Sequence, residues 1–159
     1  MRRLILSLVI LFPLFLFAQE ERDTTLNRCP VFITDTVSSN NFFIEARPAI
    51  LKVHRVKGDL TIVIEQKDQF FTLFFNDRKL KNTKYKISVN ARGNSGVAAK
   101  YSFRSGEQVS YVNVASGTVE ATYDETKGRW RLKVNGMIAN LVERTVSYYK
   151  VRADFYIKD

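Results

Sequence analysis

The chain has 159 residues, a formal net charge of +9 and a hydrophobic content of 45%. That is enough for one domain with a real hydrophobic core, and the single cysteine, Cys29, excludes an intrachain disulfide. The chain also has a single histidine, His54. One histidine and one cysteine are too few for a zinc site of nitrogen and sulfur ligands, and they exclude a Cys/His nucleophile pair.

Residues 1–18 predict a secretory signal peptide. Two arginines after Met1 are followed by the apolar run 4–17, and the sequence becomes polar after Ala18. A run of 14 residues is too short to favour a membrane-spanning helix. We therefore expect cleavage after Ala18 and a bacterial protein that is secreted or periplasmic, with an uncleaved membrane anchor as the alternative.

Beyond the leader, short strands alternate with turns. Residues 19–30 are polar and predict a flexible N-terminal arm, and residues 31–159 predict a single domain. Strands are predicted at 31–37, 42–46, 49–56, 60–65, 69–76, 84–90, 97–104, 107–115, 117–124, 129–142 and 145–158. No window shows a capped helical pattern. The spacing favours an all-β fold, an antiparallel β-sandwich of about ten short strands, with a closed calycin-like β-barrel as the alternative.

The clearest local prediction is a β-hairpin over residues 117–136. Apolar and polar residues alternate on both sides of the turn-forming cluster 124–128. A four-residue loop at 124–127 would place Ala121 opposite Trp130. The same register would place Glu120 opposite Arg131, an outward pair of opposite charge.

No motif indicates a specific reaction. His54 is predicted on the outer face of a strand among cations, and the glycine-flanked serine at 93–96 lacks the spacing of a nucleophile elbow. Carboxylates such as Glu65 and Asp154 are better explained by pairing with nearby lysine or arginine. We therefore expect a non-enzymatic protein without metal or cofactor, and rank a carboxylate-dependent hydrolase last among the alternatives.

Cations share the predicted outer face of two strands near the C-terminus. This candidate basic face consists of Arg129, Arg131, Lys133, Lys150 and Arg152. It would attract an anionic polysaccharide, a lipid headgroup or another envelope protein, and export makes nucleic acid the least expected partner. The alternative is a solvated face whose lysines discourage edge pairing.

The run 69–76 is apolar on both faces of its predicted strand. Phe71 and Phe75 share one face, and Phe70 and Phe74 share the other. These four residues form a candidate apolar pocket or interface, with simple burial on both sides as the alternative. A pocket would indicate a carrier of a small hydrophobic ligand, and an interface would indicate a homodimer.

Overall fold

The computed structural model describes residues 20–43, 47–90, 96–142 and 145–158. Within those ranges the secondary structure consists of strands, without a helix. The strands are β1 (Glu20–Leu26), β2 (Val31–Asp35), β3 (Ala49–Val56), β4 (Asp59–Gln66), β5 (Gln69–Phe75), β6 (Thr83–Ile87), β7 (Gly96–Ser105), β8 (Gln108–Asp124), β9 (Arg129–Val142) and β10 (Thr145–Lys158). The predicted signal peptide, the end of the predicted strand 42–46 and most of the turn 93–96 lie outside the described residues.

All of these strands belong to one sheet that curls into a half-barrel. The strand order is β1-β3-β4-β5-β7-β6-β8-β9-β10-β2, with an additional pairing of β7 to β8. The pairings among the described residues are antiparallel except for a short parallel contact between β6 and β7. The all-β prediction is confirmed, and the sheet is mixed rather than purely antiparallel. The choice between a two-sheet sandwich and a closed barrel stays a prediction.

The core lies inside the curl, because alternation sends every second side chain of a strand to the concave face. In β4 the buried set is Leu60, Ile62 and Ile64, each at most 1% exposed. In β10 the alternating set is Val151, Ala153, Phe155 and Ile157. Burying a large apolar side chain contributes about 1.5–3 kcal/mol, so the repeated pattern stabilises the curled sheet. The residues that alternate with these buried side chains face outward. The candidate basic face lies on this outer side of the sheet.

The β8–β9 hairpin forms, but its predicted register is wrong. Glu120 lies opposite Lys133 instead of Arg131, and Ala121 lies opposite Leu132 instead of the tryptophan. The loop is 125–128, one step later than predicted, because its last residue, a glycine, takes the left-handed φ of 57° that closes the turn. Each β8 residue therefore pairs with a β9 residue two positions later than predicted. Because side chains alternate with a period of two, every side chain keeps its predicted face.

Residues 20–26 form a strand where the sequence predicted a flexible arm. β1 pairs with β3 from Glu20 opposite Arg55 to Leu26 opposite Ala49. The polar sequence of β1 shows no strand pattern, because the backbone hydrogen bonds that pair it with β3 need no particular side chain. Cys29 follows with its side chain buried at 1% exposure. Burial raises the pKa of the Cys29 thiol, which disfavours the reactive thiolate.

Gly117 permits a close approach between β8 and β9. It has a φ of 141° and lies opposite Gly136, and a Cβ at Gly117 would overlap the carbonyl oxygen of Asn135. We expect Gly117→Ala to lower the free energy of unfolding by about 2–4 kcal/mol, because both backbone strain and overlap must be relieved. Urea denaturation measures this loss.

The matched control is Gly106→Ala. Gly106 also has a left-handed φ, of 60°, but a Cβ there would meet nothing within 4 Å. Its cost should be only about 1–2 kcal/mol, from the backbone conformation alone. Equal losses for the two variants would show that the close approach at Gly117 contributes nothing.

Candidate binding groove on the outer face

The five cations of the candidate basic face lie on two neighbouring strands. Arg129, Arg131 and Lys133 alternate along β9, and Lys150 and Arg152 alternate along β10. These strands pair from residues 129 and 158 to residues 142 and 145. The five side chains share the outer face because the residues between them on each strand, such as Leu132 and Val151, are buried.

Arg131 and Asp154 neutralise each other on this face. The Arg131 Nε donates to Asp154 Oδ1 at 2.9 Å, and its Nη2 donates to Oδ2 at 2.6 Å. This bidentate geometry is the strong form of the arginine–carboxylate pair. The hydrogen bonds from Arg131 lower the pKa of Asp154, with a further contribution from the charge of Lys133. They also raise the pKa of Arg131.

Arg129 is held by an aromatic ring. Its Cζ lies 3.8 Å from the centroid of the Tyr156 ring, a distance typical of a cation–π contact. Its Nε is buried and has no hydrogen-bond partner among the described residues. Two of the five cations are therefore already engaged within the sheet.

The remaining three, Lys133, Lys150 and Arg152, line a groove of about 470 Å³. Residues of β2, β9 and β10 form its walls: Phe32, Thr34, Asn135 and Asp154. Val134 and Ala153 also line it, although their side chains belong to the core. We call this feature the basic groove. Its volume lies within the range of about 300–1,000 Å³ that small-molecule sites occupy.

Strand register explains how the basic groove is assembled. Arg152 lies opposite Phe32 on β2 and opposite Asn135 on β9, and Lys150 lies opposite Thr34. Neighbouring positions on one face of a sheet are about 5–8 Å apart. A single ligand can therefore reach all three cations, the ring and the amide.

Within the described ranges, no ion pair joins a groove cation to a carboxylate. Among the described residues the ion pairs join Lys52 to Glu65, Lys81 to Asp77, and Arg131 to Asp154. None of these involves Lys133, Lys150 or Arg152, although Glu120 and Asp154 lie opposite Lys133 in the sheet. The groove is thus positively charged and open to an anion.

Asp154 should weaken anion binding in the groove. Asp154→Asn removes a negative charge from the groove lining and releases Arg131. One charge near the site contributes about 1 kcal/mol to binding, so we expect the affinity for a sulfated polysaccharide to rise about fivefold. Isothermal titration calorimetry at neutral pH measures this. An unchanged or lower affinity would contradict it.

The pH dependence has a defined sign. Because the folded-state pKa of Asp154 is lowered, the stabilising pair is present above the ordinary aspartate pKa and is lost as the pH falls through the lowered value. The wild-type affinity should approach that of Asp154→Asn only in this acidic range, where sulfate groups stay ionised.

The four phenylalanines of the candidate apolar pocket do not line one surface. Phe71 and Phe75 point into the core, each at 1% exposure. Phe74 faces outward at 37% exposure. The centroid of the Phe70 ring lies 5.8 Å from the guanidinium Cζ of Arg104. The cavities described here are lined by other residues. The homodimer stays a prediction, for which Phe70 and Phe74 are the outward-facing pair.

Sequence reasoning missed an aromatic cavity of about 280 Å³. Phe42 stacks on Tyr101 at a ring-centroid distance of 5.7 Å and contacts Tyr149 at 5.1 Å. The lining also includes Phe103, Val112, Ile138 and Asn140. Burial raises the pKa of Tyr101. The residues come from a loop and four strands, so only their aromatic content could have signalled the cavity.

Within the described ranges, no cluster of three or more His, Cys, Asp or Glu residues could hold a metal ion. His54 is half-buried on the outer side of β3, and Glu65 pairs with Lys52 at 3.0 Å. The carboxylate-dependent hydrolase stays an alternative prediction.

No family model, curated protein or solved structure matches this chain. In the described part of the chain, no helix has the length and apolar character needed to cross a membrane.

Proposed function

We propose that this protein is a non-enzymatic, exported binding domain that holds an acidic polysaccharide in the basic groove. The observation that carries the proposal is a groove of about 470 Å³ lined by three cations that have no described ion pair. Surface charges that serve only solubility are interspersed in sign, whereas this groove brings together three cations and its carboxylate, Asp154, is paired with Arg131.

The other groove residues favour a sugar over a simple anion. Phe32 is half-buried and offers an apolar ring to the CH face of a pyranose, and Thr34 and Asn135 offer hydrogen-bonding groups for hydroxyls. Lys133, Lys150 and Arg152 would hold carboxylate or sulfate groups. Apolar surface combined with a few convergent polar groups is the usual composition of a ligand site.

Long-range charge supports the same ligand. Removal of the leader would take Arg2 and Arg3 from the net charge of +9, which leaves +7. A positive field of this kind increases the rate of encounter with a polyanion and is screened by salt. Affinity should therefore fall as ionic strength rises.

The test is calorimetric titration of the purified protein with heparin and, separately, with neutral dextran. We expect saturable heparin binding that weakens with salt, and no binding of dextran. Heparin affinity no greater than that of an unrelated basic protein with the same net charge would overturn the proposal, because it would reduce the groove to nonspecific charge.

The aromatic cavity favours a second candidate function, the carriage of a small apolar ligand. Its stacked rings, Phe42, Tyr101 and Tyr149, match a flat apolar molecule, and one continuous curled sheet favours the barrel alternative in which such carriers hold ligands. Native mass spectrometry tests this: an added small mass that disappears on denaturation supports it. A bare protein mass, before and after addition of a flat apolar ligand, counts against it.

A further inference from the structure

The half-barrel is open along one side, between β1 and the end of β10. β1 is the first strand of the sheet order and pairs with β3. β2 pairs with β10 only at residues 149–153, so residues 154–158 extend past it. The two strand edges enclose a slot of about 390 Å³.

Hydrogen bonds bound the slot at both ends. The backbone N–H of Asp154 donates to the carbonyl of Pro30 at 3.4 Å, and Arg55 donates to the carbonyl of Lys158 at 3.3 Å. Because Arg55 lies opposite Glu20 and Pro30 follows β1, the two edges run antiparallel across the slot. The stretch 154–158, which runs between these two contacts, is about 16 Å long at strand rise, the length of a segment of about five residues.

The backbone of β10 has hydrogen-bonding groups facing the slot. Backbone groups of alternate residues in an antiparallel strand point to the same side. Since the N–H of Asp154 points to the side of Pro30, the N–H and carbonyl of Tyr156 point to that side too, away from β9. An exposed strand edge of this kind is a template for another strand.

The floor of the slot is apolar and its rim is cationic. Leu51, Val53, Phe155 and Ile157 are core residues that also line the slot, together with Leu26 of β1. The cations at the rim are Arg28, Arg129 and Lys158. Asp154 also lines the slot, but its carboxylate is paired with Arg131. The buried Nε of Arg129 is still without a hydrogen-bond partner among the described residues.

The geometry points to an extended peptide of a partner protein that adds to the sheet as a strand in this slot, with apolar side chains inward and acidic side chains outward. A lipid chain would satisfy the apolar floor but would bury the backbone groups of Tyr156 without partners, which is costly. A peptide supplies main-chain hydrogen bonds for affinity and alternating side chains for specificity. The acidic outward positions follow from the three rim cations.

The probe is a blocked, fluorescently labelled heptapeptide in which glutamate and valine alternate, compared with its lysine–valine counterpart. We expect saturable binding of the acidic peptide by fluorescence anisotropy and at least tenfold weaker binding of the basic one. Backbone hydrogen exchange at Tyr156 should slow when the acidic peptide is bound.

Two variants test the slot from different sides. Tyr156→Pro removes the slot-facing N–H at a position where an edge strand tolerates proline, and Arg28→Glu reverses a rim charge without touching the core. Each variant should lower the affinity for the acidic peptide about fivefold, which is the loss expected for one hydrogen bond or one exposed charge contact. Tyr156→Phe, which keeps the N–H and a ring for Arg129, and Lys127→Glu, in the β8–β9 turn, should bind like the wild type. If Tyr156→Pro fails to fold, Arg28→Glu decides.

The inference is overturned if the acidic peptide does not bind saturably, if Arg28→Glu binds it as well as the wild type, or if exchange at Tyr156 is unchanged. Binding of dodecanoate without binding of the peptide would also overturn it and would identify the slot as a lipid site. Loss of heparin binding in groove variants leaves this result unaffected, because no groove cation lines the slot.

Discussion

Lys150→Glu combined with Arg152→Glu is expected to weaken heparin binding about 30-fold or more. Each basic residue near an anionic surface contributes about 1 kcal/mol, so losing two contributes about 2 kcal/mol, and the new carboxylates add repulsion. Both side chains are exposed on the outer face, so the fold should be retained. Calorimetry with heparin gives the affinity, and far-UV circular dichroism checks the fold.

The matched control reverses the same amount of charge elsewhere. Lys67 and Lys127 are exposed in the β4–β5 and β8–β9 turns and line neither the groove nor the slot. The double variant Lys67→Glu/Lys127→Glu has the same net charge as the groove variant and should lose less than about threefold in affinity, because a charge away from the ligand acts only through the screened long-range field. Equal losses in the two variants would mean that net charge, rather than the groove, binds the polymer.

Phe71→Ala is expected to lower the free energy of unfolding by about 3–5 kcal/mol, because it opens a cavity among buried core side chains. Phe71 is 1% exposed and lies opposite Ile64 on β4 and Tyr101 on β7. Such a loss is a large part of the stability of an ordinary domain. Urea denaturation measures it.

Phe74→Ala is the internal control, three residues along the same strand. Phe74 is 37% exposed on the outer face, and we expect its loss to cost less than about 1 kcal/mol. Similar large losses for both variants would mean that a partner or a second layer covers the outer face of β5. Neither substitution touches the basic groove, so the heparin affinity of folded protein should be unchanged.

The strands were predictable because most of them alternate. Leu60, Ile62 and Ile64 at every second position mark β4 as a strand with one buried face, and β3 and β10 show the same period. Where both faces are apolar, as in Phe70–Phe75, the period is lost. The sequence then could not tell which phenylalanines face the core.

The curl and the edges depend on interactions that no local pattern contains. The polar strand β1 is ordered by main-chain pairing to β3, and the parallel contact of Lys86 with Gly96 joins β6 to β7. The register of the β8–β9 hairpin depended on which residue of the turn cluster adopted the left-handed conformation. Gly128 is the residue of that cluster that adopts this conformation without steric cost, so the loop 125–128 could have been predicted from local propensity, unlike the two long-range pairings.

The cations of the candidate site were predictable, but their roles were not. Alternation was enough to place Lys150 and Arg152 on one outer face. That Phe32 forms a wall of the same groove requires β2 to pair with β10, which brings Phe32 opposite Arg152. That Arg131 is engaged by Asp154 requires the true register. Long-range pairing therefore converts a charged face into a groove with free and occupied cations.

The most direct test of the central claim is a nuclear magnetic resonance titration of the labelled protein with a short heparin oligosaccharide. Binding in the basic groove predicts the largest backbone shift changes in residues 32–34, 133–135 and 150–153, with intermolecular contacts to the Phe32 ring. Absent changes, changes spread over all basic residues, or changes centred on the aromatic cavity around Phe42 and Tyr149 would contradict it.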